Sequence, residues 1–592
     1  MANIFADPQI HGDPLGMKYT ISYQQPQQHF IDFRWEIGQV NTPQIVLQLP
    51  AWRPGRYELQ HFAKNIQYFG VYGSDGSPLP FRKIRKDRWQ VDTNGQTTIV
   101  VNYNYYAQQL DAGGSWLDEV LLYLNPVNAC LYVEGRLGEP YEINLLLPAD
   151  YQVVTGLERR DNICYANDFY ELADCPILAT ASQLQHQTYQ VDNSAATFHL
   201  WFYGKVNPDW ERLLTDFRLF TKKQIDIFGG QPEDFPITDY HFIYLIPAWQ
   251  VYHGVEHRNS TVMVLGPDGL FEQTYFYHDL IGVASHELFH FWNICRIRPV
   301  ELTPYDFTQE NYFRTGFVAE GLTTYYGDYL LARSGVWEMS QYFKELSKLF
   351  TKHFENYGRL NLSVAESSFD LWLDGYVAGV PRRKVSIYTE GAVASLILDL
   401  EIRGLTNHQK SLDDVMRQLW KQYGQTDQGY SLADYIHLVE EVAGGDMSDY
   451  FNSCILGATD LTDRLQQALA TVACELIITP AEKTSERSFG FRATLQADKC
   501  LVTLIAPNSP ADLVLSLKDR LLAIDGETIK DNNLEELLAD KTKVAIKLNR
   551  HEREHTILLI ADGREYLPAY ECNFMADFEE GQRLNFENWM LT

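Results

Sequence analysis

Through about the first 190 residues, apolar positions alternate with polar ones. Tyr19, Ile21 and Tyr23 do so, as do Val101, Tyr103 and Tyr105, the period of two that sets one face of a strand into a core. Two short apolar runs, IVLQLP from Ile45 and INLLLP from Ile143, each stop at a proline that cannot continue a ladder. Such runs, broken by Gly, Pro and Asn, predict an antiparallel β-sandwich-like domain. Nothing in this segment carries the marks of a catalytic residue.

Near residue 207 the period lengthens. Asn207-Pro208 predicts a helix N-cap with proline at the first helical position, and Gly229-Gly230 closes the segment. Between them Trp210, Leu213, Leu214, Phe217 and Phe220 recur at helical spacing. FIYLIPAW from Phe242 and TVMVLG from Thr261 predict strands, after which residues 278–294, 314–333, 388–404 and 411–422 predict helices. Strands followed by helices make a multidomain α+β chain. From about residue 485, strand-like LVTLIAPNSPA, RLLAIDGETI, KVAIKLNR and TILLI surround a helical LEELLAD. The expected divisions are a β domain over 1–190, a mostly helical domain over 191–475, a small unit over 476–565 and an acidic, aromatic tail over 566–592 with no predicted element.

Charge narrows the partners. With 49 Lys+Arg against 78 Asp+Glu the net charge is −29, so no nucleic acid is expected, because binding through phosphates needs a basic face. No apolar stretch nears the roughly 18 residues of a membrane span. The N-terminus, MANIFADPQIHGDPLG, has neither a basic nor an apolar leader region, so a cytoplasmic location is expected. Eight cysteines spread from Cys130 to Cys572 without a CxxC pair, which predicts reduced thiols.

One stretch carries chemistry: His286-Glu287-Leu288-Phe289-His290, inside HDLIGVASHELFHFWN. Two His at i and i+4 share a helix face, so both imidazoles can reach one zinc ion, and Glu287 lies where it can take a proton from water at the metal. A catalytic zinc needs a third protein ligand and an open position. Glu320, in FVAEGLTTYYGDYL on the next strong helix, is the leading candidate, with Glu301 and Glu310 as rivals in more polar surroundings.

HELFHFWN, RIRP (Arg296–Pro299) and FVAEGLTTYY together resemble the glycyl aminopeptidase family of zinc metallopeptidases, family sixty-one of that class. AWRPGRYELQHFAKNI (Ala51–Ile66) resembles that family's N-terminal β-domain, and GVEHRNST (Gly254–Thr261) its segment before the zinc helix. The resemblance implies a thermolysin-like (gluzincin) catalytic domain with one zinc per chain. It makes His286, His290 and Glu320 the ligands and Glu287 the general base. In the larger alanyl aminopeptidase relatives a strand Glu holds the substrate's free α-amino group. Here that role falls to Glu256, with Gly254 admitting substrate backbone. Those relatives also use a Tyr followed by x-Lys-Gly to stabilise the oxyanion; Tyr388-Thr389-Glu390-Gly391 keeps the Tyr and Gly but has Glu in place of Lys.

The last unit resembles a PDZ domain. Phe489, Gly490 and Phe491 stand at the carboxylate-binding loop, which implies a C-terminal peptide ligand. Residues 511–520 lack the usual Ala-Gly-Leu. The expected function is hydrolysis of the N-terminal peptide bond of peptides with a free N-terminus, with small residues such as Gly or Ala first. The alternatives are a zinc endopeptidase and an inactive peptidase serving as a PDZ scaffold.

Overall fold

The computed structural model describes residues 16–377, 379–530 and 533–591; the N-terminal stretch read for a leader lies outside them. The chain forms two compact units. The first comprises residues up to Trp337 together with 365–379 and 409–451, and the second comprises 338–364, 380–408 and 452 onward. Residues 191–475 thus contribute to both.

The first unit begins with two facing sheets. One has seven strands, with Met17–Ser22 between Tyr141–Leu145 and Phe30–Ile37. The other has four, ending at the edge strand Phe81–Arg85. Alternation decides which side chains face inward: Tyr19, Ile21, Phe33, Trp35, Val101 and Tyr103 are all buried in one core. Rings stack within it, Phe33 on Tyr103 at 4.9 Å and Tyr19 on Trp35 at 5.3 Å between centroids, geometries that add to the area they bury.

A five-stranded sheet follows, in which Thr197–Gly204, Asp239–Ile246 and Ser260–Gly266 run parallel. A parallel pair needs a crossover, supplied by the helix Trp210–Phe228. Its cap is Asp209, whose side chain accepts from the Arg212 amide at 3.2 Å, rather than the expected Asn207; a carboxylate two residues on outcompetes the Asn-Pro signal. The outer strand Val251–Glu256 pairs on one side only, antiparallel to Ser260–Gly266, so its other edge is open.

The second unit carries the helices Met339–Glu355, Ile387–Leu405 and Thr462–Ala470 and a sheet from Phe491–Gln496 to Arg553–Ile560. The tail, for which no element was predicted, forms Ala569–Phe574, paired with Cys474–Thr479, and the helix Glu580–Leu591, which buries Trp589. All eight cysteines are free thiols, and no helix among the described residues is long and apolar enough to cross a membrane.

Candidate metal centre

The motif helix runs Thr274–Phe289, and His290 caps it in near-helical conformation, so the i, i+4 spacing of the two imidazoles survives although the helix ends earlier than predicted. The chain then turns sharply. The His290 carbonyl accepts from the Cys295 amide, and the Trp292 carbonyl from those of Arg296 and Ile297. Inside the turn, Ile294 takes φ +93°, a strained backbone for a β-branched residue that packing must hold.

Glu320 does not sit on a regular α-helix. Phe317–Leu322 forms wide π turns that pass into the α-helix Thr323–Arg333, a distortion often found at functional sites. The cause is visible in Asn293. Its side-chain amide donates to the Val318 carbonyl at 2.7 Å and to the Ala319 carbonyl at 3.3 Å, drawing those acceptors out of the α ladder. The Asn293 carbonyl also accepts from His290 Nδ1 at 2.9 Å, which orients the ring so that Nε2 faces the other donor atoms. One residue therefore positions both an imidazole and the turn that carries the carboxylate.

The donor atoms converge. His290 Nε2 lies 3.1 Å from His286 Nε2 and 3.3 Å from Glu320 Oε2, and the three residues form a cluster able to hold a metal ion. Zinc bonds of about 2.0–2.1 Å in tetrahedral array set donors about 3.3 Å apart, so the spacing fits zinc. The other carboxylate oxygen of Glu320 accepts from the Tyr57 hydroxyl at 3.2 Å, which fixes the carboxylate's rotation. Of the rivals, Glu301 is exposed in a short turn and Glu310 is half-buried in a loop; neither belongs to a metal-capable cluster among the described residues.

Glu287 and Glu256 complete the centre, and with His290 they form a second group of donors within 4.8 Å of one another. Glu287 is 5% exposed, and its Oε2 has no hydrogen-bond partner. Burial holds its carboxyl well above the ordinary range; His290 opposes that rise, and Glu256 and Glu320 add to it. Glu256 is raised by burial as well. Burial depresses His286. At His290 burial acts the same way, but Glu320, Glu256 and Glu287 override it and lift the pKa to about 10. Three buried carboxylates around two imidazoles call for positive charge, which a divalent ion supplies.

Two glycines make the room. A Cβ on Gly254 would strike Glu287 Oε1 and come within 2.8 Å of Val283 Cγ2. A Cβ on Gly55, which has φ +75°, would lie 2.7 Å from Glu256 Oε2. His253 and His257, on either side of Glu256, are held by Asp111 at 3.4 Å and Asp174 at 3.1 Å. The N-terminal β segment is therefore not chemically silent, as its sequence suggested: its Arg53–Tyr57 loop brings Gly55 over Glu256 and Tyr57 onto Glu320. That contact spans 263 residues, so no local periodicity could reveal it; the one signal was the AWRPGRYELQ string itself.

Tyr388 lies half-buried on Ile387–Leu405 in the second unit. Glu390, which replaces the expected Lys, is buried, and both its oxygens lie 2.9 Å from His353 Nδ1. Phe489 and Phe491 are fully buried, and the Gly490 amide already donates to the Glu486 carbonyl at 3.1 Å.

Comparison with known proteins fits this geometry. The model of the peptidase M61 N-terminal domain matches residues 18–181, and that of the M61 glycyl aminopeptidase matches residues 279–394, which include His286, Glu287, His290 and Glu320. Among curated proteins none matches the chain. An aminopeptidase N family protein from Idiomarina loihiensis superposes with a TM-score of 0.87 at 26% identity, over 97% of this chain and 100% of that one. More distant are an M1 zinc metallopeptidase from Deinococcus radiodurans (TM-score 0.42, 13% identity, 76% of this chain and 96% of that one) and yeast LTA4 hydrolase in complex with bestatin (0.39, 13%, 74% and 66%). Two stretches of the chain thus match models of the M61 glycyl aminopeptidase family, and the protein is a metallopeptidase, a hydrolase.

Proposed function

We propose that the protein is a zinc aminopeptidase that removes small N-terminal residues such as Gly or Ala from peptides, with one zinc held by His286, His290 and Glu320. The observation that carries this reading is the Glu256 carboxylate, buried within reach of His290 and Glu287 at the end of an open strand edge. A buried carboxylate pairs strongly with an ammonium group, and a free N-terminus supplies one directly beside the first peptide bond.

A zinc ion bound there supplies a Lewis acid that polarises the scissile carbonyl and lowers the pKa of water. The chain's residues do the rest. Glu256 takes the α-ammonium and so fixes which peptide bond reaches the metal. Gly254 admits substrate backbone to the strand edge. Glu287 accepts a proton from the attacking water and returns it to the leaving amine. The C-terminal unit is read as a PDZ-like domain with a structural role, because the amide of Gly490 is already engaged.

The test is kcat/KM for a glycyl or alanyl amide against its N-acetyl analogue, in wild type and Glu256→Ala. Wild type should cleave only the free amine, and the variant should lose about ten- to a hundredfold on it, the worth of a charged hydrogen bond. Equal cleavage of both substrates by wild type makes the enzyme an endopeptidase. Discrimination that survives in the variant places the amine on another carboxylate.

A further inference from the structure

Five of the chain's cations fall within eight residues, in Phe81–Arg88 (FRKIRKDR), although the chain as a whole carries a net charge of −29. Residues 81–86 are all exposed, on the outermost strand of the four-stranded sheet and the turn that follows. Lysines on an edge strand commonly serve to block unwanted pairing, as does the irregularity between Lys83 and Arg85. That role does not account for the opposite wall. Lys83, Arg85 and Lys86 face His61 and Lys64 across a groove of about 700 Å3, and Lys86 Nζ reaches His61 Nδ1 at 3.1 Å. Asp87 is the one acid among its lining residues.

The groove leads toward the metal centre. A second cavity of about 330 Å3 shares His61 and Lys64 with it and runs back to Arg53 and Asp111. Arg53 is buried, with no partner for its Nε, and its charge acts on both Glu256 and Glu287. Asp111 holds His253 at 3.4 Å, and His253 adjoins Gly254, which lies against Glu287. A peptide whose amine sits at Glu256 and whose chain runs antiparallel to Val251–Glu256 passes Gly254 and then His253. Its residues downstream of the cleaved bond therefore head for the wall formed by Asp111 and Arg53, and beyond it for the basic groove.

We infer that the His61–Lys64 and Lys83–Lys86 groove is an exosite for acidic residues downstream of the scissile bond, so that preferred substrates are peptides with a small N-terminal residue and an acidic continuation. This rests on the aminopeptidase reading above. Opposite charge along a groove raises both the capture rate and the occupancy of a flexible ligand, and salt screens the effect.

The test compares a peptide beginning Gly-Ala with four Glu further along, its Gln counterpart, and a glycyl amide too short to reach the groove. Each is measured at low and high salt, in wild type and in the variant Lys83→Glu/Arg85→Glu/Lys86→Glu. Wild type should favour the Glu peptide about tenfold at low salt, lose that preference at high salt, and cleave the Gln peptide regardless of salt. The variant should lose or reverse the preference while cleaving the amide at the wild-type rate. Binding of a fluorescent N-acetylated Glu peptide, which is not turned over, gives a readout independent of catalysis and should weaken about tenfold in the variant. No preference in wild type, or one that survives charge reversal, overturns the exosite. Failure to cleave even the amide overturns the aminopeptidase reading, while the binding measurement still decides the exosite.

Discussion

Gly254→Ala is the smallest change that probes the centre's geometry. The added Cβ would strike Glu287 Oε1 and approach Val283 Cγ2 to 2.8 Å, closer than real Cβ contacts come. Val283 sits on the motif helix, buried and unable to retreat far. Forcing an extra methyl into packed surroundings costs about 1–3 kcal/mol, and the Glu287 side chain is the part that can move. A shift of about 1 Å in a proton-transferring group costs on the order of a hundredfold in rate. No metal ligand is touched, so zinc content should stay at the wild-type level while kcat on a glycyl amide falls about a hundredfold and the melting temperature drops by a few degrees. Glu287→Asp shortens the obstructing side chain, so the double variant should show clear non-additivity, losing much less than the product of the two single losses. The assay pairs steady-state kinetics with elemental analysis of the same samples. A Gly254→Ala enzyme within about threefold of wild type would mean that Glu287 does not stand against this strand during turnover.

Other substitutions separate the parts of the centre. Glu287→Gln should keep its zinc and lose at least about a hundredfold in kcat, since an amide cannot accept the water proton; elemental analysis alongside kinetics checks both. His290→Ala should lose bound zinc and thermal stability together, because it removes a ligand and leaves Glu320 buried without its partner; full metal occupancy contradicts the ligand set. Asn293→Ala should weaken zinc affinity about ten- to a hundredfold by releasing the His290 ring and the turn carrying Glu320, read by competition with a chelator; unchanged affinity removes Asn293 from that positioning role.

Much of the centre was legible because its spacing is local. His286 and His290 lie one turn apart on a helix, and any HExxH helix presents them together. Glu320 could be picked from its apolar surroundings, but its π turns could not, because they depend on the Asn293 amide reaching across 25 residues to Val318. Tyr57, Gly55 and Arg53 carry no local signal, because their segment reads as ordinary β-structure and its meaning arises only when the chain brings it onto Glu256 and Glu320. The Asp209 cap shows the same limit on a small scale: two adjacent cap signals compete, and backbone geometry chooses between them. The tail helix Glu580–Leu591 buries little besides Trp589, so it has almost no apolar stripe for a periodicity to detect.

On the proposed reading, one zinc ion held by His286, His290 and Glu320 works with Glu256 to hydrolyse the first peptide bond of a free N-terminus. The most direct measurement is a zinc titration of chelator-treated protein, with turnover of a glycyl amide and of its N-acetyl analogue followed at every point. Activity on the free amine should return linearly and saturate at one zinc per chain, while the acetylated substrate stays uncleaved throughout. Full activity in the metal-free protein, or equal cleavage of both substrates at saturation, would contradict it.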